Sequence, residues 1–369
     1  MRIVRLANFV TPTSGGLRTA LYELGAGYAA AGHEPILIIP GPAARDEETP
    51  AGRVITVPGP TVPGLGGYRV IAGRRRLKRL LEELAPDRLE VSDRTTLRWT
   101  GAWARARNIR SIMVSHESLS ALLRLYGPLG RLAGPLNRAT AARFDTVVCT
   151  TAWAAAEFAR LGVPNLVRAP LGVDLTSFGP ERFDSGLRSR LAPQGQALLV
   201  HCGRLSPEKH PDRSIQALAE LRRRDVPAVL VVAGDGPLRP KLARLAGNLP
   251  VRFLGHVADR DALAKLLATA DLAIAPGPVE TFGLASLEAL ASGTPVVASL
   301  HSALPEVIGP AGAAVDDDPA AYADAIEALL SKPGRRAVAR AQAERYDWPA
   351  AVRAFLHAHD LTDTPARPS

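Results

Sequence analysis

Cysteine is scarce in this chain: 369 residues hold two, Cys149 and Cys202, and neither has CxxC or metal-ligand spacing. A disulfide framework and a zinc site are therefore excluded, and two buried free thiols fit a reducing compartment. Aromatic residues amount to 5% and no recognised DNA- or RNA-binding motif is present, which argues against nucleic acid as a partner. No apolar run reaches the ~18 residues that a membrane-spanning helix needs. The opening Met1-Arg2-Ile3-Val4-Arg5-Leu6 is too charged for a signal peptide and reads as a strand.

The length suits two α/β domains with separate cores. Charge is unevenly divided: residues 1–172 hold 23 Lys/Arg against 13 Asp/Glu, whereas residues 173–369 hold 22 against 23. The net charge of +9 is thus a property of the first half, which points to a polyanion or an anionic membrane surface on that side. With two free thiols, the expected location is cytoplasmic.

Short apolar runs alternate with helical patterns along the whole chain, from Ile3–Ala7 and Pro35–Ile39 to Val296–Ser299 and Ala313–Val315. This alternation predicts an α/β fold of two doubly wound, Rossmann-like domains facing a cleft, with ligands at the carboxyl ends of the strands. Apolar periodicity lapses after Gly172 and the segment beyond it is polar and Arg-rich. The expected division is a domain over 1–172, a linker over 173–190, a second domain over 191–345, a helix over 346–360 and a disordered tail over 361–369.

The most informative stretch is Pro276-Gly277-Pro278-Val279-Glu280-Thr281-Phe282-Gly283-Leu284-Ala285-Ser286-Leu287-Glu288. An apolar run, Leu272 to Ala275, breaks at Pro-Gly-Pro, and Leu284, Leu287 and Leu290 then recur at helical spacing. Glu280 falls in a loop after a strand and Glu288 inside the next helix, whose unbonded first amides attract an anion. At ~1.5 Å rise per residue the carboxylates sit on the order of 10 Å apart. Two hydroxyl-accepting carboxylates flanking a phosphate site suit a nucleoside diphosphate sugar.

Other strand ends carry chemistry too. Gly15-Gly16 opens the first helix and allows close backbone approach by a ligand, although a glycine pair is also an ordinary turn. Arg204 and Lys209, five residues apart after a strand, can converge on a diphosphate as a fork and a point charge. His116 ends another strand, where a histidine serves structure more often than catalysis, and Asp93 and Glu117 are candidate acceptor-site groups. Arg74, Arg75, Arg76, Lys78 and Arg79 begin a helix with Leu77, Leu80, Leu81 and Leu84 on one face. Such a helix suits an anionic membrane surface and equally a solvated basic face. Asp316-Asp317-Asp318 reads as a capped turn, and no cluster suggests a metal.

Glu280-x7-Glu288, Gly203-Arg204-Leu205-x-x-Glu208-Lys209 and Gly15-Gly16 together resemble the motifs of retaining GT-B glycosyltransferases of family four, over nearly the whole chain. Ser14-Gly15-Gly16-Leu17-Arg18, Leu89-Glu90-Val91-Ser92-Asp93-Arg94 and Val200-His201-Cys202-Gly203-Arg204 are similar to actinobacterial GDP-mannose-dependent enzymes that extend phosphatidylinositol mannosides. The resemblance implies that Arg204 and Lys209 bind the diphosphate, Gly16 approaches its distal phosphate, Glu288 holds the ribose and Glu280 the sugar hydroxyls. It further implies that Phe282, Gly283 and Leu284 complete the donor pocket through their amides, that Val257 lies near the base and that His116 lies beside the sugar. The first domain would bind the acceptor, and the helix near Tyr346-Asp347-Trp348 would return to it. No cofactor or metal is expected; the expected partners are a nucleotide-sugar donor, a lipid acceptor and an anionic membrane. A UDP-sugar transferase stays open as an alternative, while the E-x7-E spacing argues against a nonhydrolysing sugar-nucleotide epimerase.

Overall fold

The computed structural model describes residues 1–10, 15–62, 67–116, 118–120, 123 and 132–361. The first part of the Gly-rich loop (11–14), Glu117 and, apart from Leu361, the expected tail lie outside these residues. The chain divides into two compact units, Met1–Gly172 with Trp348–Ser369 and Val173–Asp347.

In the first unit, β1 (Arg2–Leu6), β2 (Glu34–Gly41), β3 (Arg45–Thr49), β4 (Gly52–Pro58), β5 (Arg88–Val91), β6 (Arg110–Ser115), β7 (Thr146–Cys149) and β8 (Leu166–Arg168) form one sheet. The order is β3-β4-β2-β1-β5-β6-β7-β8, and every pairing is parallel except β3 with β4. Its helices are α1 (Gly16–Ala30), α2 (Arg74–Leu84), α3 (Trp99–Arg105), α4 (Ala133–Ala141) and α5 (Ala152–Ala159). The central strands are apolar throughout because both faces are covered: Val4, Ile36, Leu89 and Met113 join one core, and Ala7, Leu21, Leu37 and Val54 another.

β3 is the strand that apolar runs do not reveal. Its residues, Arg45-Asp46-Glu47-Glu48-Thr49, are largely exposed and depend on β4 for their hydrogen bonds. The hairpin turn is closed by Thr49, whose hydroxyl donates to Gly52 O (2.7 Å) and accepts from Ala51 N (3.1 Å). A polar edge strand of this kind also resists pairing with another chain.

In the second unit, β9 (Ala197–Cys202), β10 (Ala228–Ala233), β11 (Val251–Gly255), β12 (Leu272–Ala275), β13 (Val296–Ser299) and β14 (Gly312–Val315) form a parallel sheet in the order β11-β10-β9-β12-β13-β14. The flanking helices are α6 (Ser185–Leu191), α7 (Pro211–Arg223), α8 (Arg239–Ala246), α9 (Arg260–Thr269), α10 (Leu284–Ala291), α11 (Leu304–Ile308), α12 (Pro319–Ser331) and α13 (Arg335–Ala343). Chain direction across the sheet reverses between β9 and β12, so the two strands diverge at a crevice at their carboxyl ends.

The segment expected as a linker, 173–190, belongs with the second unit. Phe178 is fully buried, Asp184 caps α6 by accepting from Leu187 N at 2.7 Å, and Arg188 pairs with Asp271 at 2.7 Å. Arg340 ties the same segment to the end of α10 by donating to Phe178 O (2.7 Å) and Ala291 O (3.0 Å).

A last helix, α14 (Trp348–Ala358), belongs to the first unit and packs on α1. The helices approach closely at Gly27, where a Cβ would lie 2.1 Å from Val352 Cγ2. Beyond α14, His359 reaches the fully buried Arg5–Glu90 pair: Arg5 Nε lies 2.8 Å, Tyr28 Oη 2.8 Å and His359 Nε2 3.3 Å from the Glu90 carboxylate.

Candidate active site

The second unit holds eight of the expected residues, in the loops that follow β9, β11 and β12 and in α10. After β9 the chain runs through Gly203-Arg204-Leu205 into a 3-10 turn, Pro207–Lys209, and then α7. Glycines allow this loop to be stacked upon: a Cβ on Gly234 would lie 1.8 Å from Gly203 O, and one on Gly236 2.5 Å from Leu205 O. Opposite, the Pro-Gly-Pro loop after β12 presses on the same turn, since a Cβ on Gly277 would lie 3.2 Å from both Glu208 O and Lys209 Cα. These contacts bring the Lys209 ammonium into an ion pair with Glu280 Oε1, both groups half-buried. Arg204 is half-buried in the same loop.

Gly283 caps α10 in the left-handed conformation (φ 79°), with no side-chain cap. The first intrahelical bonds run from Ser286 N and Leu287 N to Gly283 O, so the Leu284 and Ala285 amides lead the helix. Phe282 is buried edge-on against Tyr346, with ring centroids 5.8 Å apart, and Leu284 is buried. Both side chains belong to the core, and their backbone is what a ligand can meet. Glu288 is buried one turn further on, its Oε1 3.8 Å from Arg260 Nη1. Val257 is half-buried in the loop before α9. This combination of cations, bare amides and two carboxylates can hold a diphosphate between two hydroxyl-bearing groups.

Nearby titratable groups have settled forms. Burial, followed by the charge of Lys209, lowers His201 to about 4, and its Nδ1 lies 2.9 Å from Ser214 Oγ. Burial, followed by Glu288, pushes the Cys202 thiol up to about 12, which removes it as a nucleophile.

In the first unit, Gly15 and Gly16 stand exposed at the start of α1, with no acidic residue in its first turn. His116, just beyond β6, has Nε2 3.2 Å from Ser92 Oγ, and burial lowers it to about 4, so the imidazole is neutral at physiological pH.

Asp93, expected as an acceptor-site group, is instead saturated by its own unit. Its carboxylate accepts from Asn8 Nδ2 (2.7 Å), the Thr95 amide (2.7 Å), the Thr95 hydroxyl (2.6 Å) and the Thr96 hydroxyl (2.6 Å), and it builds the loop after β5. Asn8 extends that pattern by accepting from Ile71 N at 2.7 Å.

The basic helix α2 forms as expected, but its apolar side is already used: Leu77, Leu81 and Leu84 are buried in the first unit's core and Leu80 packs against it. Arg74, Arg75, Arg76, Lys78 and Arg79 are exposed. Asp318 caps α12 by accepting from Ala321 N (3.0 Å), as the turn reading requires, and Asp317 pairs with Arg213 (2.7 Å). Among the described residues no group of three or more His, Cys, Asp or Glu is placed to hold a metal ion. Sequence reading missed Arg213, which nothing local marks. Arg94, at the end of the 89–94 stretch, has its buried guanidinium 3.1 Å from Glu157 Oε2.

Residues 14–177 match the family described as Glycosyltransferase Family 4, and residues 186–346 the family described as Glycosyl transferases group 1. The chain is 50% identical over 366 residues to a GDP-mannose-dependent alpha-(1-6)-phosphatidylinositol dimannoside mannosyltransferase of Mycobacterium tuberculosis, covering 96% of this chain and 95% of that one. It is 30% identical to a GDP-mannose-dependent alpha-mannosyltransferase of Mycolicibacterium smegmatis, covering 81% of this chain and 79% of that one. Among solved structures, sucrose-phosphate synthase from Thermosynechococcus elongatus shares the fold, with TM-score 0.75 and 20% identity over 95% of this chain and 96% of that one.

Proposed function

The chain belongs to the GT-B glycosyltransferases of family 4, and from that membership we propose that it moves a mannosyl residue from GDP-mannose to a phosphatidylinositol mannoside, retaining the anomeric configuration. The observation that carries the substrate assignment is 50% identity, over 96% of the chain, to an enzyme whose name specifies both substrates.

In this reading Arg204, Lys209 and the leading amides of α10 bind the diphosphate and stabilise the charge that develops on it as it leaves. Glu288 accepts from the ribose hydroxyls and Glu280 from those of the transferred sugar, while the backbone of Phe282, Gly283 and Leu284 closes the donor pocket and Val257 meets the base. Gly15 and Gly16 contribute exposed amides to an anion. The neutral His116 exchanges hydrogen bonds with a sugar hydroxyl. Fixed cations and amides supply the electrostatic stabilisation, so the reading needs no metal. In the same reading the exposed cations of α2 attract the anionic membrane that holds the acceptor, and the chain works at the cytoplasmic face of that membrane. Consistent with peripheral attachment, no helix among the described residues is long and apolar enough to cross a membrane.

The test is calorimetric titration with GDP, UDP and ADP without added metal, followed by transfer of labelled mannose from GDP-mannose to phosphatidylinositol dimannoside. Tight binding of GDP alone, with label entering the lipid, is the expected result. Preference for UDP would remove the substrate assignment, and binding of no nucleotide would remove the donor site.

A further inference from the structure

We propose that Arg213 is a positioning residue of the transfer reaction, fixing the loop that carries Glu280 against the turn that carries Lys209. The inference rests on the donor-site reading above. The loop begins Pro276-Gly277-Pro278, and its two prolines have no N–H, so its start is tied down chiefly through carbonyls. Arg213, in the first turn of α7, donates from Nη1 to the Pro276 carbonyl at 3.1 Å. The same nitrogen lies 2.7 Å from Asp317 Oδ1, and the two side chains are only 18% and 24% exposed. Asp317 in turn accepts from Ser299 Oγ at 2.9 Å, at the end of β13.

The far end of the loop is tied separately, where Ala303 N donates to the Glu280 carbonyl at 2.9 Å. Between these ties Gly277 lies against the backbone of Glu208 and Lys209. Arg213 and Lys209 are four residues apart on one continuous segment, so a bond from Arg213 to Pro276 sets the distance from which Lys209 meets Glu280. A cation in a first helical turn opposes the helix dipole. Asp317 and the Pro276 carbonyl, rather than the helix, stabilise Arg213 in that position. Its guanidinium bonds to protein partners, and its effect on the reaction passes through Glu280.

The test uses the purified full chain with saturating GDP-mannose and lipid acceptor. Arg213→Met is expected to lower kcat at least tenfold while GDP affinity stays within threefold, because GDP lacks the sugar that Glu280 holds. Arg213→Lys, which keeps the cation but not the fork, is expected to restore part of that loss. Added to Glu280→Gln, Arg213→Lys is expected to cost little more than Glu280→Gln alone, since both act through one group. A kcat for Arg213→Met within threefold of wild type would overturn the proposal. So would full additivity of Arg213→Lys with Glu280→Gln, a measurement that decides the matter even if the Met variant does not fold. Absence of transfer and GDP binding in the wild-type chain would instead remove the donor-site reading itself.

Discussion

At the Lys209–Glu280 pair, each residue neutralises the other until a donor arrives. In the proposed reading Glu280 holds the group to be transferred and Lys209 the group that departs, so their replacements should separate in the kinetics. Glu280→Ala is expected to reduce mannosyl transfer at least a hundredfold while calorimetry finds GDP affinity nearly intact; equal loss of both would contradict its assignment to the sugar. Lys209→Ala is expected to weaken GDP binding and to cost about 3–4 kcal/mol in the barrier, as for other fixed donors to a developing charge. A transfer rate within tenfold of wild type would mean that Lys209 does not meet the leaving phosphate. Cys202 stands in the same crevice, yet burial keeps its thiol protonated, and it takes no part in these predictions.

Among the elements, α2 has the clearest consequence. With Leu77, Leu81 and Leu84 committed to the core, the helix has no apolar face left to insert between lipids. Only its charge can act. Arg74 lies over the Trp99 ring, its guanidinium carbon 4.6 Å from the centroid, while Arg107 and Lys78 share Glu82 at 2.6 and 3.9 Å. Replacing Arg74, Arg75, Arg76, Lys78 and Arg79 with Gln is therefore expected to leave thermal unfolding nearly unchanged and to weaken sedimentation with anionic vesicles at least tenfold. Each cation near such a surface contributes about 1 kcal/mol, and the wild-type interaction should also fade as salt shortens the Debye length. Unchanged vesicle binding would make this an ordinary solvated face.

For the whole molecule, acid is the revealing condition. His116 and His201 are held at about 4, and burial lowers His359 as well. Above pH 6.5 these groups are neutral in folded and unfolded chains alike and cost nothing. Below it the unfolded chain takes up protons that the folded chain refuses, so stability falls until the pH nears 4. For His201, which is 3% exposed, the loss is about 3 kcal/mol. Glu90 adds a second, lower step: held at about 2 despite its burial by Arg5 and by hydrogen bonds from His359 and Tyr28, it stabilises the fold above pH 4.5 and loses that contribution as the pH falls towards 2. Urea midpoints are expected to be flat from pH 8 to 7 and to fall steadily from 6.5 to 4. A midpoint unchanged at pH 4.5 would show that the three histidines are not held neutral.

Much of this organisation is legible in local sequence. A strand buried on both faces must be apolar throughout, so β9, β10 and β12 announce themselves, and the Pro-Gly-Pro break puts Glu280 in a loop and Glu288 in the helix after it. β3 escapes because its polar residues form a strand only when β4 supplies the partner. Asp93 misleads because a carboxylate at a strand end looks available until Asn8, 85 residues earlier in the chain, is folded against it. The leucines of α2 have the same periodicity whether they face lipid or a protein core. Arg213 is one arginine among many until folding brings it to Pro276, 63 residues away. The alternation of strand and helix, the basic first half and the motifs of the proposed donor site can be read from the amino-acid sequence alone, because these depend on near neighbours and on composition. Only the tertiary structure decided which charged and apolar side chains stay available, because partners distant in the chain compete for them.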